Sequence, residues 1–246
     1  MSAAAEQTTR LGPFTARVVG SETLGGLTLV RIELDARTSL GEPGQFHMLR
    51  NAAGRDYLAR PVGLIQLDDG VGFVVDNASA QADLAGPELE VLGPLGNGFD
   101  LSATTAETTL LVAAGFGLTV MPAIGRLHTR IRLIAGIRQS DHAPLAHLVP
   151  GVTLDTPRVA PDLVTEPLEE ALATGHYTQV LAAGPGPMGK AVAEICQRHG
   201  VASQIALEAP MACGFGGCYG CVVEIDGTWK RCCIEGPVVD GARLVA

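Results

Sequence analysis

Three cysteines near the C-terminus of this 246-residue chain stand at C-x4-C-x2-C spacing, in Cys213-Gly-Phe-Gly-Gly-Cys218-Tyr-Gly-Cys221, and the pair Cys232-Cys233 follows. Any fold of this chain must therefore bring four sulfurs to one place. The spacing is that of a plant-type 2Fe–2S ligand set. Such a cluster carries net negative charge and is stabilised by backbone N–H groups aimed at its sulfurs. Gly214, Gly216, Gly217 and Gly220 lack a Cβ, so the loop can curl around it and bring its amides close. Two rival readings stay open. A structural zinc site usually pairs two C-x2-C knuckles or combines cysteine with histidine; the four-residue step, the glycines and the lack of any histidine after His199 fit that poorly. A disulfide framework fits less well. The chain starts Met-Ser-Ala-Ala-Ala-Glu, without a basic start or an apolar signal core, which implies the reducing cytoplasm. The expectation is an electron carrier.

Composition narrows the class. The hydrophobic fraction of 47% is enough for real cores, and with aromatics at 4% the cores must be built from Ala, Val, Leu and Gly, which suits α/β packing. A net charge of −9 argues against nucleic acid or an acidic membrane surface as partner. No apolar run reaches the roughly 18 residues of a spanning helix. Residues 1–10 read as a loose tail.

The signals from Pro13 to about Leu101 are β: residues 15–19, 27–34, 46–50, 62–67 and 71–75 are short, rich in β-branched residues and punctuated by Gly, Asp, Asn and Pro. Strands at such spacing predict a sandwich or barrel, with Asp68-Asp69-Gly70 as a hairpin turn. After Ser102 the pattern changes. Thr108–Ala114 is a near-continuous apolar run, the mark of a strand covered on both faces. It leads into Gly115-Phe-Gly117 and a helix. Residues 131–137 and 178–183 are further strands, the second followed by Gly184-Pro-Gly-Pro-Met188 and a helix from about Gly189 to His199. Alternating strands and helices predict a parallel α/β sheet. The cysteine loop comes next, then a small hairpin turning at Asp226-Gly227. The predicted fold is thus a multidomain β and α/β chain: an N-terminal antiparallel β-barrel (residues 11–103), a parallel α/β nucleotide-binding domain (104–207) and a small C-terminal 2Fe–2S domain (208–246).

Arg60-Pro-Val-Gly63 follows one predicted strand and opens another. A guanidinium there can pair with pyrophosphate oxygens in bidentate fashion, although a surface arginine is the default reading. Its place in a β-domain ahead of a nucleotide-type α/β domain resembles the ferredoxin–NADP reductase superfamily, where an Arg-x-x-Ser/Thr-like motif holds FAD. With the cysteines added, the chain resembles the electron-transfer subunits of NAD-linked (type B) dihydroorotate dehydrogenase. The stretches that carry the resemblance are Gly44-Gln-Phe46, Arg60-Pro-Val-Gly63, Leu92–Leu101, Gly184–Met188, Leu207–Cys221 and Cys233-Ile-Glu-Gly-Pro-Val238, so it spans roughly Thr15 to Asp240.

That resemblance implies a cytoplasmic iron–sulfur flavoprotein of pyrimidine biosynthesis. Electrons from an FMN-containing catalytic subunit, which oxidises dihydroorotate to orotate, would pass through 2Fe–2S and FAD to NAD, in a heterotetramer of two copies of each subunit. It implies Cys213, Cys218, Cys221 and Cys233 as cluster ligands, Cys233 being preferred over Cys232 because it precedes the Ile-Glu-Gly-Pro-Val ending. It implies Arg60, Pro61, Val62, Gly63 and Asn77 at the FAD, and Gly115, Gly117, Gly184, Pro185 and Met188 at the nucleotide.

The departures matter. Gly63 stands where the family has serine. The Gly-x-Gly-Thr element is replaced by the shorter-looking Asp76–Gln81 loop, and Ala183 stands where a cysteine flanks the nicotinamide. NAD binding is expected to survive but to be weak. No Ser–His–Asp set, carboxylate pair or base for dihydroorotate is visible, so no catalytic residue is assigned. Two alternatives follow: a reductase subunit of another oxidoreductase, such as a hydrogenase or sulfite-reducing complex, or a cluster-bearing structural subunit with impaired NAD use. Cys196 is read as a core residue on a helix face, His142 and His147 as solvated loop residues, and Glu208 as either an organiser of the loop or a solvated carboxylate.

Overall fold

The computed structural model describes residues 12–35, 38–53, 58–76, 86–138, 142–155, 157–159 and 163–245. Asn77, the rest of its loop to Gln81, and residues 1–10 lie outside the described residues.

Seven strands form the first unit: β1 (Gly12–Leu24), β2 (Leu27–Leu34), β3 (Phe46–Asn51), β4 (Arg60–Val62), β5 (Ile65–Leu67), β6 (Gly70–Asp76) and β7 (Glu88–Leu95). They make one antiparallel sheet in the order β4-β3-β7-β1-β2-β6-β5. Strands β4 and β5 lie at opposite edges, yet only Gly63 and Leu64 separate them in the chain. Three Cα steps reach at most about 11 Å, so the sheet must curl until its edges nearly meet. This is the expected barrel. It also corrects the single strand expected over residues 62–67, because the chain leaves one edge at Val62 and enters the other at Ile65. Ala16, Ile32, Leu49, Phe73, Leu89 and Val91 fill the interior. The Asp68-Asp69 turn joins β5 to β6 in the register Leu67↔Gly70.

The second unit is built on a sheet ordered β10-β9-β8-β12-β13-β16. Its central strands β8 (Thr109–Ala114), β9 (Arg132–Ile137), β12 (Gln179–Pro185) and β13 (Ala202–Glu208) are parallel. Short strands β10 (Thr153–Leu154) and β11 (Arg158–Val159) both pair with β9. Both faces are covered. Leu110 and Val112 of β8 pack with Leu168 of helix α3 (Thr165–Ala173) and Val192 of α4 (Gly186–His199); Leu111 and Ala113 face Ile124 of α1 (Met121–Leu127) and Leu145 of α2 (Pro144–His147). Gly200 ends α4 in the left-handed conformation, φ 67°. Cys196 is buried on the core side of α4, as expected, and His147 lies at the end of α2 rather than in a loop.

The C-terminal segment is a hairpin of β14 (Val222–Ile225) and β15 (Thr228–Arg231), then the single-turn helix α5 (Cys232–Glu235). Asp226 and Gly227 have φ 53° and 64°, the two left-handed residues of a type I′ turn. Strand β16 (Val238–Asp240) then returns to the second unit and pairs antiparallel with β13. The units share cores. Leu27, Leu29, Ile65 and Val74 of the barrel pack with Leu118 and Met121. Phe46, Met48 and Leu95 lie in one cluster with Cys221, Cys232 and Cys233.

Candidate functional site

A cavity of about 530 Å³ opens where the three units meet. One wall is the β4 turn, Arg60 to Gly63. A second is the 3-10 turn after β8 (Gly115–Val120), through Phe116, Gly117 and Thr119; a third is the end of β12, from Ala183 to Gly186. The fourth runs from Leu207 to Met211, immediately before the cysteine loop. Seven of the residues expected at the flavin and nucleotide are thus drawn to one space: Arg60, Pro61, Val62, Gly63, Gly117, Gly184 and Pro185. Gly115 and Met188 do not line it. Gly115 supplies the positive φ, 57°, that turns the chain out of β8, and Met188 packs over Gly184. At Gly117 the two nucleotide loops touch: a Cβ there would overlap the carbonyl of Ala183.

Glu208 ends β13 inside this cavity and accepts a hydrogen bond from the Gly117 amide. It is open to the cavity and crowded by protein elsewhere. That desolvation raises its carboxyl to about 7, against the pull of the Gly117 N–H. Glu208 keeps surface open to solvent and holds the nucleotide loop at Gly117, a different loop from the cysteine loop it was read as organising.

The four cysteines expected as ligands are brought together as two linked pairs. All four are free thiols: Cys213 shares a hydrogen bond with the Cys218 thiol, and Cys233 with the Cys221 thiol; Cys213 and Cys233 are close enough to repel as thiolates. Burial pushes the Cys213 thiol up, but the amides of Cys218, Phe215 and Gly217 together with the Cys218 thiol outweigh it, bringing it down to about 7. These amides surround the sulfur as the glycine-rich loop was expected to arrange them. The Cys218 sulfur accepts from the Gly220 amide at 3.4 Å, and the Cys221 sulfur from the Cys233 amide at 3.5 Å. Burial and the neighbouring Cys221 push Cys233 up to about 12, with the Gly216 amide pulling the other way. The Cys232 sulfur instead points to the Leu207 carbonyl, 3.6 Å away, and is fully buried. Among the described residues no three His, Cys, Asp or Glu side chains gather around one point as a single metal ion needs. Two thiolate pairs with amides on their sulfurs suit a two-iron rhomb better than one tetrahedral ion.

Two glycines of the loop carry positive φ, Gly214 at 76° and Gly216 at 84°. A Cβ on Gly214 would strike the Met48 side chain, so the loop lies directly on the barrel. Arg231 was not singled out from the sequence. It donates to the Gly216 carbonyl at 3.3 Å, pairs with Glu235 at 3.0 Å, and stands 5.0 Å from the centre of the Tyr219 ring. It therefore spans the loop and the helix that carries Cys233. Tyr219 itself has a left-handed backbone, φ 57°. Phe215 and Tyr219 point outward, 61% and 62% exposed, and Trp229 on the hairpin is 73% exposed.

Residues 208–245 match the model of the iron–sulfur cluster binding domain of dihydroorotate dehydrogenase B. The electron transfer subunit of dihydroorotate dehydrogenase B (NAD(+)) from Geobacillus kaustophilus is 30% identical over 227 residues, covering 83% of this chain and 87% of that protein. The chain belongs to this family. The family's subunit from Clostridium perfringens is 29% identical over 242 residues, 91% of this chain and 94% of that one. A chain of NADH-dependent reduced ferredoxin–NADP oxidoreductase superposes with a TM-score of 0.70 at 20% identity, covering 92% of this chain and 88% of its own. Ferredoxin–NADP+ reductase from Plasmodium falciparum does so with 0.59 at 8% identity, covering 80% and 96%. These two show the reductase-type fold. The expected family and fold class hold, and membership makes the chain an electron-transfer component of an oxidoreductase with an iron–sulfur binding domain.

Proposed function

We propose that this chain carries electrons from an FMN-containing dihydroorotate dehydrogenase subunit, through its own 2Fe–2S cluster and FAD, to NAD+, in cytoplasmic pyrimidine biosynthesis. Dihydroorotate gives up two electrons and two protons to become orotate; NAD+ takes up a hydride and one proton is released. The observation that carries this reading is the 530 Å³ cavity, which joins the barrel turn, both nucleotide loops and the segment entering the cysteine loop. A flavin bound there would supply the exchange between paired electrons at the nicotinamide and single electrons at the cluster.

The protein's own groups have definite tasks. Arg60 offers a bidentate cation to the pyrophosphate, with Pro61 fixing the turn that presents it; Asn77 is assigned to the same cofactor. Val62, Phe46 and Leu207 give the cavity apolar walls that exclude water. Gly117 and Gly184 with Pro185 form the nucleotide side, with Gly115 and Met188 behind them. The Gly117 amide is already held by Glu208, which supports weak NAD binding. Cys213, Cys218, Cys221 and Cys233 would hold the cluster, which would supply one-electron transfer there. The three working units are residues 11–103, 104–207 and 208–246, the last of which lends its strand β16 to the sheet of the second.

The partner docks on the exposed aromatics around the cluster, since aromatic side chains concentrate at interface centres and electrons must enter beside the thiolates. The assembly is a heterotetramer with two copies of each subunit. No helix among the described residues is long and apolar enough to cross a membrane. The test is anaerobic isolation of the native complex, with identification of its flavins and rapid mixing with NADH. FMN in the partner, FAD in this chain and bleaching of the flavin by NADH are expected. A complex without FMN, or no bleaching at saturating NADH, refutes the reading.

A further inference from the structure

Gly63 presents a question that its backbone does not answer. It has no positive φ, so the conformation does not demand glycine. Space is tight there: a Cβ at 63 would come within 3.2 Å of the Thr119 hydroxyl oxygen, closer than ordinary van der Waals contact. The two residues come from different units, Gly63 from the barrel and Thr119 from the 3-10 turn after β8, and both line the cavity. Thr119 is only 7% exposed.

Its hydroxyl donates to the Phe116 carbonyl at 2.7 Å. A hydroxyl whose proton is so committed keeps its acceptor lone pairs, and in a site this enclosed an unmet acceptor costs free energy. Other polar groups on the wall are differently employed. The Gln45 amide accepts from the Glu42 N–H at 2.8 Å and donates to the Gly96 carbonyl at 2.7 Å. Glu208 holds the Gly117 amide. Thr119 therefore offers a neutral, rigidly held acceptor beside the Arg60–Gly63 turn.

We propose that Thr119 accepts a hydrogen bond from an O–H or N–H of the flavin, making from the α/β unit the contact that a hydroxyl side chain at position 63 would make from the barrel. This rests on the flavin reading of the cavity given above. Side chains at 63 and 119 crowd one another, so a side chain at 63 would have to displace the Thr119 hydroxyl by a few tenths of an ångström. The contact also crosses between units, so flavin binding would fasten the barrel to the nucleotide domain.

Four full-length proteins test this: the natural chain, Thr119→Ser, Thr119→Ala, and Thr119→Ala combined with Gly63→Ser. FAD dissociation constants, the visible flavin band and the flavin midpoint potential are measured on each, with thermal unfolding as a check on folding. Thr119→Ala should weaken FAD about fivefold, the scale of one neutral hydrogen bond, and shift the band and the potential. Thr119→Ser should match the natural chain. The double variant should recover most of the affinity, because removal of the threonine hydroxyl makes room for the serine. A merely structural cap on Phe116 would leave band and potential where they are in Thr119→Ala, and that result overturns the proposal. Failure of the double variant to recover affinity overturns the shared-contact claim. If the natural chain takes up no FAD at all, the flavin reading of the cavity fails first and the proposal falls with it.

Discussion

Replacing Cys232 and Cys233 in turn by alanine should give two sharply different proteins, although the residues are adjacent and both buried. The Cys232 sulfur makes its hydrogen bond to the Leu207 carbonyl, a weak contact at 3.6 Å, although Cys221 and Cys233 lie near enough to repel it as a thiolate. Truncation removes one heavy atom from a packed site, a loss of about 1–2 kcal/mol from transfer and residual cavity. At roughly 2–4 °C per kcal/mol for a chain of this size, the unfolding midpoint should drop by about 2–8 °C. Iron and sulfide content, the visible spectrum and the EPR signal of the reduced protein should stay as in the natural chain. The Cys233 sulfur instead meets Cys221 and the Gly216 amide. Cys233→Ala should lose the cluster, with iron and sulfide falling toward zero and no cluster EPR signal, while the Cys232 variant still folds. Serine is avoided at 233 because its oxygen can ligate iron and mask the loss. A Cys232→Ala protein without its cluster, or a Cys233→Ala protein with an unaltered one, would refute the assignment.

Arg60→Ala should weaken FAD by about 10- to 100-fold, the range of one charge-assisted hydrogen bond, measured by equilibrium titration of the apoprotein. Arg231→Ala should leave the cluster in place but speed iron release to a chelator several-fold, since the loop carbonyl at Gly216 and the Tyr219 ring lose the side chain that ties them to Glu235; Arg231→Lys should give an intermediate rate. Glu208 gives a pH signature. Its folded value of about 7 exceeds the ordinary 4.5, so between those values the folded state holds a proton that the unfolded chain has released, and its contribution to stability falls as pH rises through the window and levels off above it. The difference in unfolding midpoint between Glu208→Gln and the natural chain should therefore grow from pH 5.5 to about 7 and then stay constant. A flat difference would show that Glu208 is not desolvated.

The cysteine loop was readable because its chemistry is local: spacing, glycines and the following hairpin lie within one stretch, and the Asp226-Gly227 turn carries its own signal. The alternation of apolar strand and helix from Thr108 onward was readable for the same reason. What the sequence hid were relations between distant segments. Strand β7 was missed because Gly93-Pro94 reads as a breaker, yet Pro94 sits near the strand's end, where a missing N–H is tolerated. The break between β4 and β5 has no local mark beyond one glycine; it follows from the need to close the barrel. Strand β16 was missed because its three residues look like a tail, and only pairing with β13 makes them a strand. At the site, Thr119 and Arg231 carry no motif of their own. Thr119 matters because Gly63 stands opposite, and Arg231 because the loop returns across it. Glu208 could be placed beside the cysteines by sequence, but its partner Gly117 lies 91 residues earlier, as 208 − 117 shows, and only the parallel order of β8, β12 and β13 brings them together.

The fold holds its units together at the points where cofactors would exchange electrons. Strand β13 runs from the α/β core into the cavity and on to the cysteines, and β16 brings the chain back from the far side of the cysteines to lie against the same strand. The barrel grips both. Gly96 lies so close to Pro237 that a Cβ would overlap it, the Asn97 amide donates to the Gly236 carbonyl at 2.6 Å, and Gln204 exchanges two hydrogen bonds with the Asp100 backbone at 2.7 and 2.8 Å. The segment just after Cys233 is thus clamped between barrel and sheet, while the segment just before Cys213 forms the cavity wall. Because the shared cores are close-packed, an opening of the cavity that separated barrel from sheet would break apolar contacts of Leu29, Ile65 and Val74 with Leu118 and Met121. Close spacing of the cavity and the four thiols is therefore a property of the folded chain itself.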